Sequence, residues 1–343
     1  MTAEMTNWST LIGHDKAQRW FAAAIKQNRL GGSFLLVGSP GIGKRTVANV
    51  LARTLLCQRS DPRLMSPCGV CPSCLQVNAG THPDVVRVCK PDDKSLIPVE
   101  LLIGSRENRM QEGFCRDIRL RPMVGKRKVA ILEDADFLNE EGANCLLKTL
   151  EEPPSGAVVM LVGTSEQRQL PTIRSRCQIL RLGPLSNQDA AKLLRQVHGV
   201  EASDEAIENA MDVAGGDVEV ALRLLSGESD SLRSALAGQL DADYPDPATL
   251  ARIITTHVDG VGKDAGKRRG AMRDVFAMSV QHFRRKMRSG AHQNTVSPII
   301  LARVDRSVRA LREVDRSANQ ATLIECFAAD IAAGVTGDRG EIG

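Results

Sequence analysis

The sequence predicts a doubly wound parallel α/β sheet, followed by a small helical unit and an all-helical C-terminal domain. Three observations carry that prediction. Five short apolar runs, at Phe34 to Val37, Val85 to Val88, Lys128 to Leu132, Val158 to Val162 and Gln178 to Leu182, alternate with stretches of helical periodicity. Parallel strands joined by crossover helices produce that alternation. The first run opens into Gly38-Ser-Pro-Gly-Ile-Gly43-Lys44, a glycine-rich turn at the start of a helix. After Gly183-Pro184-Leu185-Ser186 the strand-like runs stop and only helical spacing remains.

Composition bounds the function. A chain of 343 residues with 42% hydrophobic and 25% charged residues has room for two or three domains around substantial cores. A formal charge of +4 is small for that length, so the chain lacks the large basic excess of a protein that must grip DNA by itself, while nucleic acid stays open through local Arg and Lys clusters or through partners. Aromatic residues make up 3%, too few for a base-stacking platform. Met1 to Leu11 lacks the basic, apolar and small-residue order of a secretion signal, and no apolar run approaches the ~20 residues of a membrane span, so a cytoplasmic protein is expected. Nine cysteines is an odd number, and the sequence around Cys89, Cys145, Cys177 and Cys326 is apolar, which leads us to expect reduced thiols.

The first strand and its loop are the most informative segment. Gly38, Gly41 and Gly43 let backbone N–H groups converge on phosphate oxygens at a helix N-terminus, and Lys44 adds a point charge. The helix that follows, over Thr46 to Cys57, carries Val47, Val50, Leu51, Thr54 and Leu55 at helical spacing. Where such loops place the Ser or Thr that holds magnesium, this chain has Arg45, and Thr46 comes one residue late. A nucleotide, ATP or ADP, is therefore an open expectation here, and hydrolysis is expected to be weak.

Next comes a cysteine excursion. Cys68-Gly-Val-Cys71-Pro-Ser-Cys74 spaces three thiols by two residues in a segment read as turns, with Gly69 and Pro72 bending the chain, and Cys57 ends the helix before it. Four thiolates make a closed structural zinc site with no open position for catalysis. A redox pair or unpaired surface thiols are the alternatives.

The third run ends in Glu133-Asp134-Ala135-Asp136, carboxylates at a strand end where a phosphate-loop protein manages magnesium and water. The usual order is Asp then Glu. Here Glu133 precedes Asp134, which changes the reach of both by one carbon. Asn139 is expected to cap the next helix, in which Ala143, Leu146, Leu147 and Leu150 recur on one face before Pro153-Pro154 ends it. The fourth run ends at Gly163-Thr164-Ser165.

The stretch Asn144-Cys-Leu-Leu-Lys-Thr-Leu-Glu-Glu-Pro-Pro154, with Ser175-Arg176-Cys177 downstream, resembles the clamp-loader branch of the AAA+ family. The cysteine insertion and Gly80-Thr-His-Pro-Asp84 strengthen the likeness, which covers the first ~225 residues well and the remainder only as a helical pattern. The resemblance implies that Arg176 reaches into a neighbouring subunit's ATP site, where an arginine supplied in trans is worth roughly 10³ to 10⁵ in rate. It also implies that Thr164, or less directly Ser165, is a sensor beside the nucleotide. A second sensor, an arginine in the family, falls at Glu219, where a carboxylate would repel a triphosphate.

The domain boundaries expected are a nucleotide-binding core over 1–183 with the zinc insertion at about 57–74, a helical lid over 184–228, a linker at Ser226 to Ser231, an oligomerising collar over 229–335 and a loose tail over 336–343. The partners implied are other loader subunits of gamma, tau and delta type, a sliding clamp, and primer–template DNA reached through the complex. Two other functions remain open: a hydrolysing ATPase of gamma or tau type, or a self-sufficient one, using Lys44, Glu133 and Asp134; and a zinc-dependent nucleic-acid module built on Cys57 to Cys74.

Overall fold

The computed structural model describes residues 7–226, 230–262, 264–292, 297–315 and 319–334. The segment 336–343 and residues 227–229 of the expected linker therefore lie outside the described residues. In chain order the elements begin with α1 (Asp15–Lys26), β1 (Gly32–Val37), α2 (Lys44–Leu56), α3 (Pro72–Ala79), β2 (Val85–Val88), α4 (Val99–Ile103) and α5 (Phe114–Asp117). They continue through β3 (Val129–Leu132), α6 (Glu140–Glu151), β4 (Val158–Gly163), α7 (Pro171–Arg174), β5 (Gln178–Arg181) and α8 (Asn187–Gln196). Helices α9 (Asp204–Val213), α10 (Val218–Leu225), α11 (Asp230–Asp241), α12 (Pro247–Gly260), α13 (Ala265–His292), α14 (Pro298–Asp315) and α15 (Gln320–Ala333) complete the chain.

All five strands pair in parallel, in the order β2-β3-β4-β1-β5. The expected doubly wound parallel sheet is thus the fold. Because side chains alternate along a strand, Phe34 and Leu36 of β1 join α1 and α2 in one core, while Leu35 and Val37 join α4 and α6 in the other. Both faces of β1 are buried, which is why its sequence is a continuous apolar run. Four of the five strands start or end within two residues of the runs read from sequence, and β2 coincides with its run.

The chain divides into two compact units, 1–193 and 194–343. The second is entirely helical among its described residues. Its core includes Phe276, Phe283 and Phe327, with the Phe276 and Phe327 rings 4.6 Å apart. No helix among the described residues is long and apolar enough to cross a membrane.

Two expectations need correction. The sequence around Cys89 and Cys326 is apolar, yet both side chains are exposed. Pro72 starts a helix, and does not make a turn: it occupies the first helical position, where its fixed φ and missing N–H cost nothing, and Cys71 is the residue before it. None of the nine cysteines is in a disulfide.

Candidate nucleotide site and thiolate centre

The parallel sheet brings the chemistry of unit 1 to the C-terminal ends of its strands. The phosphate loop leaves β1, Glu133 and Asp134 follow β3, and Thr164 follows β4, which lies between them. The register Val37↔Gly163 sets Thr164 level with Gly38. Glycine is required at two points of the loop. Gly43 sits at φ 92°, a left-handed conformation, and a Cβ on Gly38 would approach the Leu182 carbonyl oxygen to 2.4 Å.

Charges fill the position where magnesium would be managed. Arg45 donates from one terminal nitrogen to both Asp134 oxygens at 3.0 Å, and its Nε lies 2.8 Å from Glu133 Oε2. Arg87 donates to the remaining oxygen, Glu133 Oε1, at 2.6 Å, and its other terminal nitrogen donates to Asn49 Oδ1. All four carboxylate oxygens therefore accept from guanidinium groups. Burial alone would lower the Arg45 pKa, but Asp134 and Glu133 outweigh it and hold it above the ordinary value. Without them a cation in the first turn of α2 would face the positive end of the helix dipole. Lys44 is buried, and its Nζ donates to the carbonyls of Gly38 and Ser39 at 2.8 and 2.6 Å. A magnesium ion, which demands near-octahedral oxygen ligation, does not fit this arrangement.

Other residues support the site. Asp136 accepts from the Thr164 backbone N–H at 2.7 Å and from the Gln169 amide, fixing the end of β4. Thr46 is half-buried on α2 with its hydroxyl near Gly43. His14 is buried with Nε2 2.6 Å from the Ile42 carbonyl, bracing the loop from below. Sequence reasoning missed Arg87, Asn49 and His14. Arg87 and Asn49 come from different elements, and His14 precedes α1 with no motif around it.

Arg176 lies elsewhere. It precedes β5, at the N-terminal end of a strand whose C-terminal end meets the phosphate loop, so roughly four strand residues, about 13 Å, separate the two levels. Its Nε donates to Glu151 Oε1 at 2.6 Å and its Nη1 donates to the Thr172 carbonyl at 3.1 Å. Glu219 is on α10, and its side chain lies outside the described residues.

The cysteine excursion converges as its spacing predicts. The sulfurs of Cys57, Cys68, Cys71 and Cys74 all lie within 4.8 Å of one another. A tetrahedral zinc with ~2.3 Å bonds needs sulfurs about 3.8 Å apart, a contraction of at most about 1 Å. Backbone N–H groups of Cys68 and Cys71 point at the sulfurs of Cys57 and Cys68, at 3.4 and 3.3 Å. Burial would raise the Cys68 thiol, but the N–H groups of Val70 and Cys71 and the Cys71 and Cys57 side chains bring it down to about 6. Such donors favour thiolate at Cys68, the form that binds metal, whereas burial, with the Cys71 and Cys57 side chains, pushes the Cys74 thiol well above its ordinary value. The residues fit zinc.

Just beyond, Asp84 explains part of the Gly80-to-Asp84 motif. It is fully buried and accepts three backbone N–H bonds, from Met123, Val124 and Gly125, at 2.6, 2.9 and 2.8 Å. Burial would raise its pKa; those three donors, with His82, bring it below the usual carboxylate value.

A family model described as DNA polymerase III, delta subunit, matches residues 13–186, half of the chain. The chain belongs to the DNA polymerase III delta subunit family. Among its relatives in that family, the DNA polymerase III subunit delta' of Pseudomonas aeruginosa is 38% identical over 194 residues, 56% of this chain and 55% of that protein. The delta' subunit of Escherichia coli K12 is 32% identical over 223 residues, 65% of this chain and 63% of that protein. The tau/gamma subunit of Haemophilus influenzae is also similar, at 28% identity over 249 residues, 69% of this chain and 34% of that protein. The chain thus spans less than two thirds of the length of the relatives it matches. The clamp-loader resemblance drawn from the motifs is borne out at the level of the family.

Proposed function

We propose that this chain is a delta-prime-type subunit of a clamp loader, which helps place a sliding clamp on primed DNA and turns over little or no ATP itself. The observation that carries the reading is the saturation of all four Glu133 and Asp134 oxygens by Arg45 and Arg87. A phosphate loop whose metal-handling carboxylates are committed to arginine can bind phosphate through backbone N–H groups but is poorly equipped to activate water. Gly38, Gly41, Gly43, Lys44, Thr46 and Thr164 would contact such a nucleotide. The contribution to catalysis is made in trans: Arg176 stabilises charge developing on a neighbouring subunit's ATP, after exchanging Glu151 for phosphate oxygens. Its place at the far end of β5 from its own loop supports that role.

Residues 184–228 act as a lid and 229–335 as the collar through which gamma, tau and delta subunits assemble. The protein works in the cytoplasm. Zinc at Cys57, Cys68, Cys71 and Cys74 is structural. It would be held by the four sulfurs and would staple the excursion between α2 and β2.

The test is ATP turnover by a reconstituted loader containing wild-type chain or Arg176→Ala, beside turnover by the chain alone. We expect the isolated chain to be inert and the variant complex to lose clamp- and DNA-stimulated turnover by at least 10²-fold, below the full range for an arginine in trans because a loader has several sites. Robust turnover by the isolated chain would instead make it a hydrolysing ATPase like its tau and gamma relatives.

A further inference from the structure

Arg53 occupies an unusual position for an arginine. It lies on α2, 2% exposed, and heads the largest fully buried side chains of the described residues. Two of its nitrogens, Nε and Nη1, are buried with no hydrogen-bond partner among the described residues. An arginine stays charged in a protein, and a buried charge with neither partner nor hydrogen bond is among the most costly arrangements a fold can contain. Something must therefore face it with negative charge.

The sequence places that charge nearby. Cys57 is the residue that caps the C-terminus of α2, four positions after Arg53, which places the two one turn apart at the same end of the helix. Helix α3, which carries Cys74, packs against α2. Burial lowers the Arg53 pKa, and Cys74 is the group that acts in the opposite direction. Four thiolates on one divalent ion carry a net charge of −2, in a region where both Cys71 and Cys74 are buried from water. Neither charge is tolerable there alone.

We propose that Arg53 is the internal counter-ion of the tetrathiolate centre, so that the metal and the guanidinium each make the burial of the other possible. This rests on the zinc reading of the four cysteines. Arg53 acts through the ligands and touches no substrate. It holds the negative sulfurs, and by doing so it sets how tightly the ion is kept. The arrangement also makes the metal-free protein worse than merely looser, because removing zinc and reprotonating the thiols strands a buried cation.

The experiment compares wild-type chain with Arg53→Met, which keeps the length and removes the charge, and with Arg53→Lys and Arg53→Gln. Zinc content, Zn²⁺ affinity by competition with a chromophoric chelator, the thiolate-to-metal absorption of the Co²⁺-loaded protein, and melting with and without metal are measured. We expect one Zn²⁺ per wild-type chain, a 10- to 100-fold weaker affinity in Arg53→Met, a shifted Co²⁺ absorption, and a metal-free Arg53→Met that melts no lower than metal-free wild type. Wild-type affinity in Arg53→Met, with equal melting losses in the loaded and metal-free forms, would make Arg53 a packing residue and overturn the proposal while leaving the zinc site intact. Wild-type chain that binds no Zn²⁺ would overturn both. If Arg53→Met does not fold, the other two variants decide: Arg53→Lys must hold Zn²⁺ at least tenfold more tightly than Arg53→Gln, and equal affinities sink the idea.

Discussion

Two arginines eight residues apart on α2 meet opposite fates. Arg45, in the first turn, is more than half exposed and engages two carboxylates that the sheet brings to it. Arg53, two turns later, is buried with two nitrogens unpaired. The first position has been neutralised from within the fold, so a cation that would normally arrive as a ligand is supplied by the chain. The second is left incomplete by the protein alone and waits for a charge that a metal would organise. On the reading proposed above, one end of the helix supplies its own cation, and the other would rely on a metal-bound thiolate cluster.

The comparison breaks most visibly if metal is withheld. Cys71→Ser, or chelation of the wild type, removes a binding free energy that reaches roughly 10 kcal/mol in small zinc peptides. We expect residues 57–80 to lose hydrogen-exchange protection while β1, β3 and β4 keep theirs. Uniform protection in both forms would mean that the excursion stands on packing alone.

A smaller loss is expected at Asp84, which anchors the chain just after the excursion. Asp84→Ala leaves three backbone N–H groups of 123–125 without their acceptor, at a cost of about 2–3 kcal/mol in urea unfolding. Asp84→Asn, which keeps one acceptor oxygen, should recover part of it. A loss equal to that of Ala would show that the negative charge, and not the acceptor, is what the turn needs.

Arg45→Thr sharpens the other half of the comparison. It returns a hydroxyl to the metal position and releases both Asp134 oxygens and Glu133 Oε2. We expect calorimetry to show ATP binding that gains at least tenfold, about 1.4 kcal/mol, on adding Mg²⁺, against little Mg²⁺ dependence in the wild type. Equal Mg²⁺ dependence in both proteins would mean that the guanidinium swings aside at no cost.

The two regions also differ in how far they could be read from sequence. The four cysteines of the thiolate cluster were legible, because all of them fall within eighteen residues and the chemistry of four sulfurs admits few partners. What escaped was Arg53, since an arginine inside an apolar helix face looks like a solvated residue until burial is known. At the nucleotide end, the loop, Glu133 and Asp134 were legible as parts, and Arg45 as a departure. Their mutual pairing was not, nor was Arg87, because each contact joins segments 38 to 89 residues apart and depends on sheet order. Strands β1, β3 and β4 were read well because burial on both faces leaves continuous apolar runs. The start of α3 was misread because proline serves turns and first helical turns alike.

The smallest expected effect concerns acid, and a histidine in each region contributes to it with the same sign. Burial lowers the pKa of His14 below 6.5, against the raising influence of the Ile42 carbonyl and nearby carboxylates. A folded-state pKa below the unfolded one means that the unfolded chain takes up the proton first. The stability contributed by neutral His14 is therefore complete above about pH 6.5 and is lost as pH falls toward the folded value. His82, beside the excursion, is lowered by burial in the same way and contributes over the same range. His14→Gln should flatten the decline of unfolding free energy below pH 6.5 by less than about 1 kcal/mol while leaving Zn²⁺ release by acid unchanged, since protonation of thiolates governs that. If His14→Gln instead moves the pH of zinc release, the loop and the thiolate centre are coupled through α2, and the two arginines no longer act as independent ends of one helix.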